Sequence, residues 1–499
     1  MQDVGVNRTS LAIALVIVAA CGPKPGPSGG GGGDSQMPAA VSAYAGLRWV
    51  PPDVTYAVAT RRSEDAVLIL KNLVDAAGIL AEVDAAELSR ESTRELGFDL
   101  LAPEAYADLG VDLERGVAIW SRGLGPSLAI PLVDPQRLAA ELEARRGPGT
   151  VVQVSRAHEV DVYTLRPDRD AAIHWAIAGD WFLAHVEITD EREADGAWFE
   201  SAWSARGGLA GAADFTAALD EGRARLGGEP PLVGLARLPA LLALPLIEDP
   251  PACAPIVGAL GRVFVAAGAG AEARGAIVVE LPAGVDGVRA LITNLPAGWV
   301  AARAGAPLQV EIGVDLRDVA AALGPCVGDD LFRNLELDQA SGGRLFVHQI
   351  DIGRLEGKGA VVAELGNPRM LDDLLAEIPG IGFLSKKRKL AGFAVTDVNA
   401  PAVPRFSYTV AGSSTIVTVG TPIDALLGGG MVAGGDQLAR VELSPRAWPA
   451  QTWDELLQSV IGRQETRTAT VRRLRAWSHG LLTLTVEGRA LVLTAHGAR

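Results

Sequence analysis

Cysteine is scarce, with three in 499 residues, and no two of them sit at a spacing that would hold zinc or a redox pair. Histidine is nearly as sparse: the six, at 158, 174, 185, 348, 479 and 496, are scattered singly. His158-Glu159 has no second histidine four places on, so no helical zinc-protease motif is present. A Gly-x-Ser-x-Gly elbow between a strand and a helix is missing, and Gly412-Ser413-Ser414 has the small polar residues of a turn. Gly268-Ala269-Gly270 is followed by Gly275 instead of a Lys-Ser/Thr helix start, which excludes a phosphate loop. No long basic stripe that could neutralise a phosphate backbone is present either: 45 Lys and Arg face 60 Asp and Glu, a net charge of −15, so nucleic acid is not an expected partner.

Hydrophobic residues make up 48% and charged residues 21%, the balance of a chain that buries a core. Its length exceeds what one core holds, so two or three structural units are expected. Near the start, Arg8 precedes an apolar run, Leu11 to Ala20, closed by Val18-Ala19-Ala20-Cys21. As a helix that run covers roughly 15 Å, about half a hydrocarbon core, so it suits an export signal better than a membrane span. Gly22-Pro23-Lys24-Pro25 and Ser28 to Gly33 follow as a flexible tether.

The run ending in Cys21 resembles the lipobox of bacterial lipoproteins, whose cysteine is acylated and becomes the mature N-terminus. The resemblance implies lipidation of Cys21 and a membrane anchor in the cell envelope; the other reading is a plain secreted chain with Cys21 as a free thiol. Gly22 lacks the inner-membrane-retaining Asp at that position, so the outer membrane, facing the periplasm, is the expected address. In such an oxidising compartment Cys253 and Cys326 are expected to form a disulfide closing a loop worth roughly 4 kcal/mol, against the alternative of two unrelated buried thiols.

Sliding the chain on itself by 233 positions brings Leu132 onto Leu365, Pro135 onto Pro368, Leu138 onto Leu371, Val162 onto Val395, Gly179 onto Gly412 and Val186 onto Val419. Each copy reads as strand, helix, then three strands. The strands are Ser127 to Val133 and Ala360 to Gly366; the helices are Pro135 to Arg145 and Pro368 to Ile378. Val160 to Leu165 and Gly392 to Val398 follow, then hairpins turning at Gly179-Asp180 and Gly412-Ser413. Between the copies, Arg262 to Ala267 and Ala276 to Leu281 read as strands and Val285 to Leu295 as a helix. Trp453 to Ile461 reads as a helix, and Thr470 to Ala495 as strands.

The fold expected is therefore α+β: duplicated antiparallel β-sheet modules with helices packed on one face. The domains expected are a signal peptide at 1–20, a tether at 21–43, a first module at 44–228, a connecting strand-helix unit at 229–330, and a second module with C-terminal strands at 331–499. The opening Val50-Pro51-Pro52-Asp53-Val54-Thr55-Tyr56 and the turn Leu109-Gly110-Val111-Asp112 loosely resemble a family of uncharacterised extracytoplasmic bacterial proteins. That resemblance implies a fold and an address and carries no activity.

Chemistry-bearing residues are then weighed one by one. A tight hairpin can set His174 beside His185 as a weak metal or pH-sensing pair, against edge histidines solvated on the outer face of the sheet. Asp329-Asp330, Asp372-Asp373 and Asp168 with Asp170 suit helix caps better than calcium. Lys386-Lys387-Arg388-Lys389 reads as the cationic end of the second-copy helix, with contact to anionic headgroups as the sharper reading. Trp198, Phe199 and Trp203 share one helix face and cover a sheet or line an apolar groove. No catalytic residue, metal site or cofactor is assigned. The expectation is a non-enzymatic binding or scaffolding lipoprotein whose partner is an envelope protein or polymer; the alternative is a periplasmic carrier of a lipid or other apolar ligand.

Overall fold

The computed structural model of the chain describes residues 38–80, 85–123, 125–144, 151–166, 171–188, 197–242, 260–268, 272–315, 317, 342–351, 356–364, 370–377, 384–400, 404–412, 414–458 and 464–498. The expected signal, Cys21 and most of the expected tether, Cys253, Cys326, Asp168, Asp170 and Asp329-Asp330 lie outside the described residues. The fold is α+β, with antiparallel strands. Two units divide the chain: one runs to Glu248 and adds Gly261–Ile277, the other takes Asp249–Leu260 and Val278–Arg499.

In the first unit the strands are β1 (Tyr56–Thr60), β2 (Ala118–Ser121), β3 (Ser127–Pro131), β4 (Val152–Ala157), β5 (Val160–Leu165), β6 (Ala171–Ala178), β7 (Trp181–Ile188), β8 (Leu232–Arg237) and β9 (Arg262–Gly268). They pair in the order β4-β5-β6-β7-β3-β2-β1-β8-β9. The central hairpin, AAIHWAIA and WFLAHVEI, is apolar almost throughout, the pattern of strands covered on both faces. Gly179 turns it with a φ of 64°, left-handed backbone that glycine adopts without a Cβ clash.

The helices of this unit are α1 (Ser63–Leu80), α2 (Ala85–Leu96), α3 (Pro103–Asp108), α4 (Pro135–Ala144), α5 (Ala197–Ser204) and α6 (Ala213–Leu226). Asp134 starts α4 by accepting a hydrogen bond from Arg137 N at 3.0 Å, and Pro135 takes the first turn, where no amide donor is needed. Leu138 and Leu142, one turn apart, then pack with Tyr163, Phe182 and Ala184. On the opposite face α6 approaches so closely that a Cβ on Gly222 would lie 2.8 Å from the ring of Phe264. Helices thus meet both faces of this sheet, a correction to the single covered face expected from the sequence.

The division between the units falls within β10 (Glu272–Glu280). The second unit holds the short pair β11 (Leu295–Pro296) and β19 (Met431–Val432), and the strands β12 (Leu308–Ile312), β13 (Gly343–Asp351), β14 (Glu356–Glu364), β15 (Ser385–Leu390), β16 (Phe393–Val398), β17 (Phe406–Ala411), β18 (Ser414–Val419), β20 (Gln437–Leu443), β21 (His479–Glu487) and β22 (Ala490–Ala498). Their order is β15-β16-β17-β18-β14-β13-β12-β20-β21-β22. Besides the single turn Asp286–Arg289, the helices described in this unit are α7 (Trp299–Arg303), α8 (Met370–Ala376), α9 (Ile423–Leu427), α10 (Ala450–Leu457) and α11 (Gln464–Ala476). Trp299 meets Phe346 edge-on at 4.9 Å, in a core that takes in Ile416, Leu426 and Leu427.

The registers follow the offset seen in the sequence. Ala129 faces Leu183 and Val362 faces Ile416; Val162 faces Ala176 and Val395 faces Thr409; Val152 faces Leu165 and Ser385 faces Val398. Each second pair is the first moved by 233 positions in both strands.

Three local expectations are corrected. Lys386-Lys387-Arg388-Lys389 forms strand β15, not a helix end, held by ladder pairing to β16 and by Arg388 reaching Asp397 at 2.8 Å. Thr470 to Ala476 belongs to α11, because Arg467, Thr470, Val471 and Leu474 bury one helical face. Only Asp286–Arg289 of the helix expected from Val285 to Leu295 is helical, and Leu295 pairs as strand. The stretch at 229–330, set apart as a connecting unit, supplies β8 and β9 to one unit and β12 to the other.

Candidate functional site

One face of the first sheet, with its helices, encloses a cavity of about 400 Å³. The sheet side of the wall is Val117, Ile119, Leu128, Ile130, Phe182, Ala184 and Val186, alternate residues along their strands. Opposite stand Ala66, Val67 and Leu70 of α1, Tyr106 of α3, and Leu138 and Leu142 of α4. Ile119 sits in the middle of β2 between two partner strands, yet it is 40% exposed, because the space over it is empty instead of filled.

The polar groups on this wall are already engaged. Ser63 Oγ donates to Arg115 O at 2.8 Å, and Tyr106 OH donates to Leu100 O at 3.1 Å. Burial, with Asp99 adding to it, pushes the Tyr106 phenol up to about 12, so it stays neutral. Burial first, and His174 second, push His185 down to about 4, so it too is uncharged at neutral pH. Glu141, half-buried, is the one carboxylate among the lining residues and has a partner of its own. Such a wall offers dispersion and hydrophobic burial, with nothing to orient a strongly polar substrate.

No protein family model, curated protein or solved structure matches the chain.

On the other face of the sheet four polar residues form one row across four strands: Thr164, His174, His185 and Ser127 stand opposite one another in turn, and His185 also borders the cavity. His174 Nδ1 and Thr164 Oγ1 share a hydrogen bond at 3.0 Å, and His174 Nε2 donates to the Glu187 carboxylate at 2.8 Å. Ser127 Oγ and His185 Nδ1 are 2.9 Å apart. Trp198 of α5 closes the row, stacked on His185 at 5.7 Å with ring planes 14° apart.

This corrects the expectation of solvated edge histidines: the hairpin does set the two side by side, but His174 is buried and strands flank both members. Sequence reasoning missed Glu187 and Ser127; their parity with His185 on β7 and its neighbour was the available signal. A hydroxyl beside an imidazole suggests a nucleophile and its base. Against that, His185 is a poor base at neutral pH, and Ser127 is not among the residues that line the cavity. The row is a set of satisfied buried polar groups. The same row in the second unit reads Asp397, Ser407, Thr418 and Ala360, with Ser407 Oγ donating to Asp397 at 2.6 Å.

The other singled-out residues stand apart. Trp198 and Phe199 are buried, while Trp203 stacks on His158 at 5.0 Å. Asp372 accepts a hydrogen bond from Tyr408 OH at 2.6 Å. Among the described residues no group of three or more His, Cys, Asp or Glu is placed to hold a metal, and no helix is long and apolar enough to cross a membrane. In the second unit a cavity of about 310 Å³ lies over Leu345, Val361, Val417 and Val419; the last three are the register equivalents of Leu128, Ala184 and Val186.

Proposed function

We propose that this chain is a lipid-anchored envelope protein whose first unit holds an apolar small molecule, an acyl chain being the occupant that fits best. The observation that carries this is the apolar cavity of about 400 Å³, within the size range of small-molecule sites, beneath an exposed Ile119. Burial of roughly ten methylenes at about 0.8 kcal/mol each gives about 8 kcal/mol, which is micromolar affinity before association costs are subtracted. The anchor rests on the lipobox at Cys21 and its tether, and the outer membrane facing the periplasm on Gly22. We read the shared 233-residue offset of sequence and register as gene duplication of one sheet module.

The test is native mass spectrometry of the chain purified with Cys21→Ser, followed by titration with a fluorescent fatty acid. A co-purifying lipid mass and saturable binding are expected; a clean apo mass with no saturation overturns the carrier reading. Labelled palmitate taken up by the wild type and not by Cys21→Ser checks the anchor separately.

A second reading, non-enzymatic scaffolding of an envelope protein or polymer, draws on strand β4. Among the described strands it pairs with β5 alone, and it leaves Val154 exposed beside Val151, which is 78% exposed. Such an edge is a template for an added strand.

A further inference from the structure

We propose that the β15–β16 hairpin is a docking surface for an anionic lipid bilayer. Strand β15 pairs with β16 alone among the described strands, and Lys386, Lys387 and Lys389 are exposed along it. Arg388, the fourth cation, is spent within the fold: its guanidinium spans Asp397 at 2.8 Å and Asp424 at 2.5 Å. Lys386 stands opposite Asp397 and feels its charge without a direct contact, while Lys387 and Lys389 point to the other side of the strand, so a chain of net charge −15 carries a concentrated cationic edge.

Lysines on an edge strand also guard against unwanted pairing, and that role must be weighed first. The first unit provides the control. At the register-equivalent positions of β4 stand Gln153, Val154 and Arg156, one cation instead of three, with Val154 57% exposed. The equivalent edge of the first unit carries no such cluster, and since one inward charge or a proline suffices to blunt an edge, protection alone does not call for three lysines on one strand.

The shape of the charge identifies the partner. Lys387 and Lys389 leave one side of the strand and Lys386 the other, ammonium groups on flexible stems without a pocket or an arginine fork. That arrangement recognises a fluid array of headgroup phosphates better than one fixed anionic ligand. Leu384, 38% exposed at the start of the strand, adds an apolar contact at the same edge. Each lysine near an anionic surface contributes roughly a factor of five in affinity, so three contribute roughly a hundredfold. The inference is independent of the cavity and of the N-terminal anchor.

The test is co-sedimentation of the full chain carrying Cys21→Ser with phosphatidylglycerol-containing vesicles and with pure phosphatidylcholine vesicles, at low and high salt. The chain is expected to prefer the anionic vesicles by roughly a hundredfold at low salt and to lose the preference at high salt. Lys386→Gln, Lys387→Gln and Lys389→Gln together abolish the preference, while Arg at the same three positions preserves it. Equal partition between the two vesicle types overturns the proposal, as does an unaltered preference in the triple Gln variant. Tighter binding to soluble polyglutamate than to vesicles would assign the edge to an acidic protein and overturn it as well. The salt dependence of the unmutated chain keeps the test decisive if the triple variant folds poorly.

Discussion

His174 and His185 stand directly opposite each other on β6 and β7, their ring centroids 6.0 Å apart and their planes 25° from parallel. His185, driven down to about 4 by burial first and by His174 second, stays neutral at neutral pH.

That difference makes stability depend on pH. In the unfolded chain a histidine binds its proton near pH 6.5, whereas folded His185 waits until about pH 4. Its contribution is complete above about pH 6.5 and falls by roughly 3 kcal/mol as pH drops to about 4. Urea midpoints measured across that window should fall steeply in the wild type and more gently in His185→Asn; identical slopes would remove His185 as the cause.

The β4–β5 hairpin turns on His158 and Glu159, both left-handed, with φ of 50° and 64°. A two-residue turn of this kind favours glycine, and the equivalent turn of the second unit is Ala391-Gly392. His158 is compensated by stacking on Trp203 and by Glu200 at 2.6 Å from its Nε2. Glu159 has no such role in these contacts, so Glu159→Gly should raise stability by about 1 kcal/mol, read as a higher urea midpoint.

Ala184 faces the first-unit cavity from the middle of β7. Ala184→Phe places a ring in existing space, so it should cost less than about 1 kcal/mol where a filled core would charge about 1–3. Fatty-acid affinity should fall at least tenfold, about 1.4 kcal/mol. Unchanged affinity in a folded variant would mean that the cavity is not the binding site.

In the second unit Arg303 Nε meets Glu311 Oε1 at 3.0 Å with both side chains largely buried, and Gln309 accepts a further bond from Arg303 Nη1 at 2.8 Å. Burial pushes the guanidinium below its ordinary range, and Glu311 draws it back. Removal of the acid leaves a buried cation alone, so Glu311→Ala should cost about 3–5 kcal/mol in denaturant melts, and adding Arg303→Met should recover most of it.

The repeat was legible in the sequence because a strand register is set by which residues face the core. Ala129 opposite Leu183 and Val362 opposite Ile416 keep the same faces, so the apolar pattern survives the offset. The joining of β1 to both β2 and β8 was not legible, since those strands lie far apart in the chain and no local pattern names a distant neighbour. The lysine run misled for a different reason: charges on both sides of a strand erase the alternation that marks one. For His174, the apolar residues on every side of it in Ile173-His174-Trp175 were the missed sign of a strand with no solvated face. The cavity could not be foreseen, because Leu138 and Leu142 look the same in sequence whether they touch the sheet or stand off from it.

Matched registers have a consequence for the nascent chain. A strand such as β7, leaving the ribosome, finds its own partner β3, yet β14 offers the same spacing of apolar contacts a little later. Tandem units built this way are prone to trading strands during synthesis. The two hairpins carry different side chains in the polar row, histidines in one and Ser407 with Thr418 in the other, so a traded strand would bury hydrogen-bonding groups that do not match. The mismatch between the two polar rows thus disfavours a traded strand.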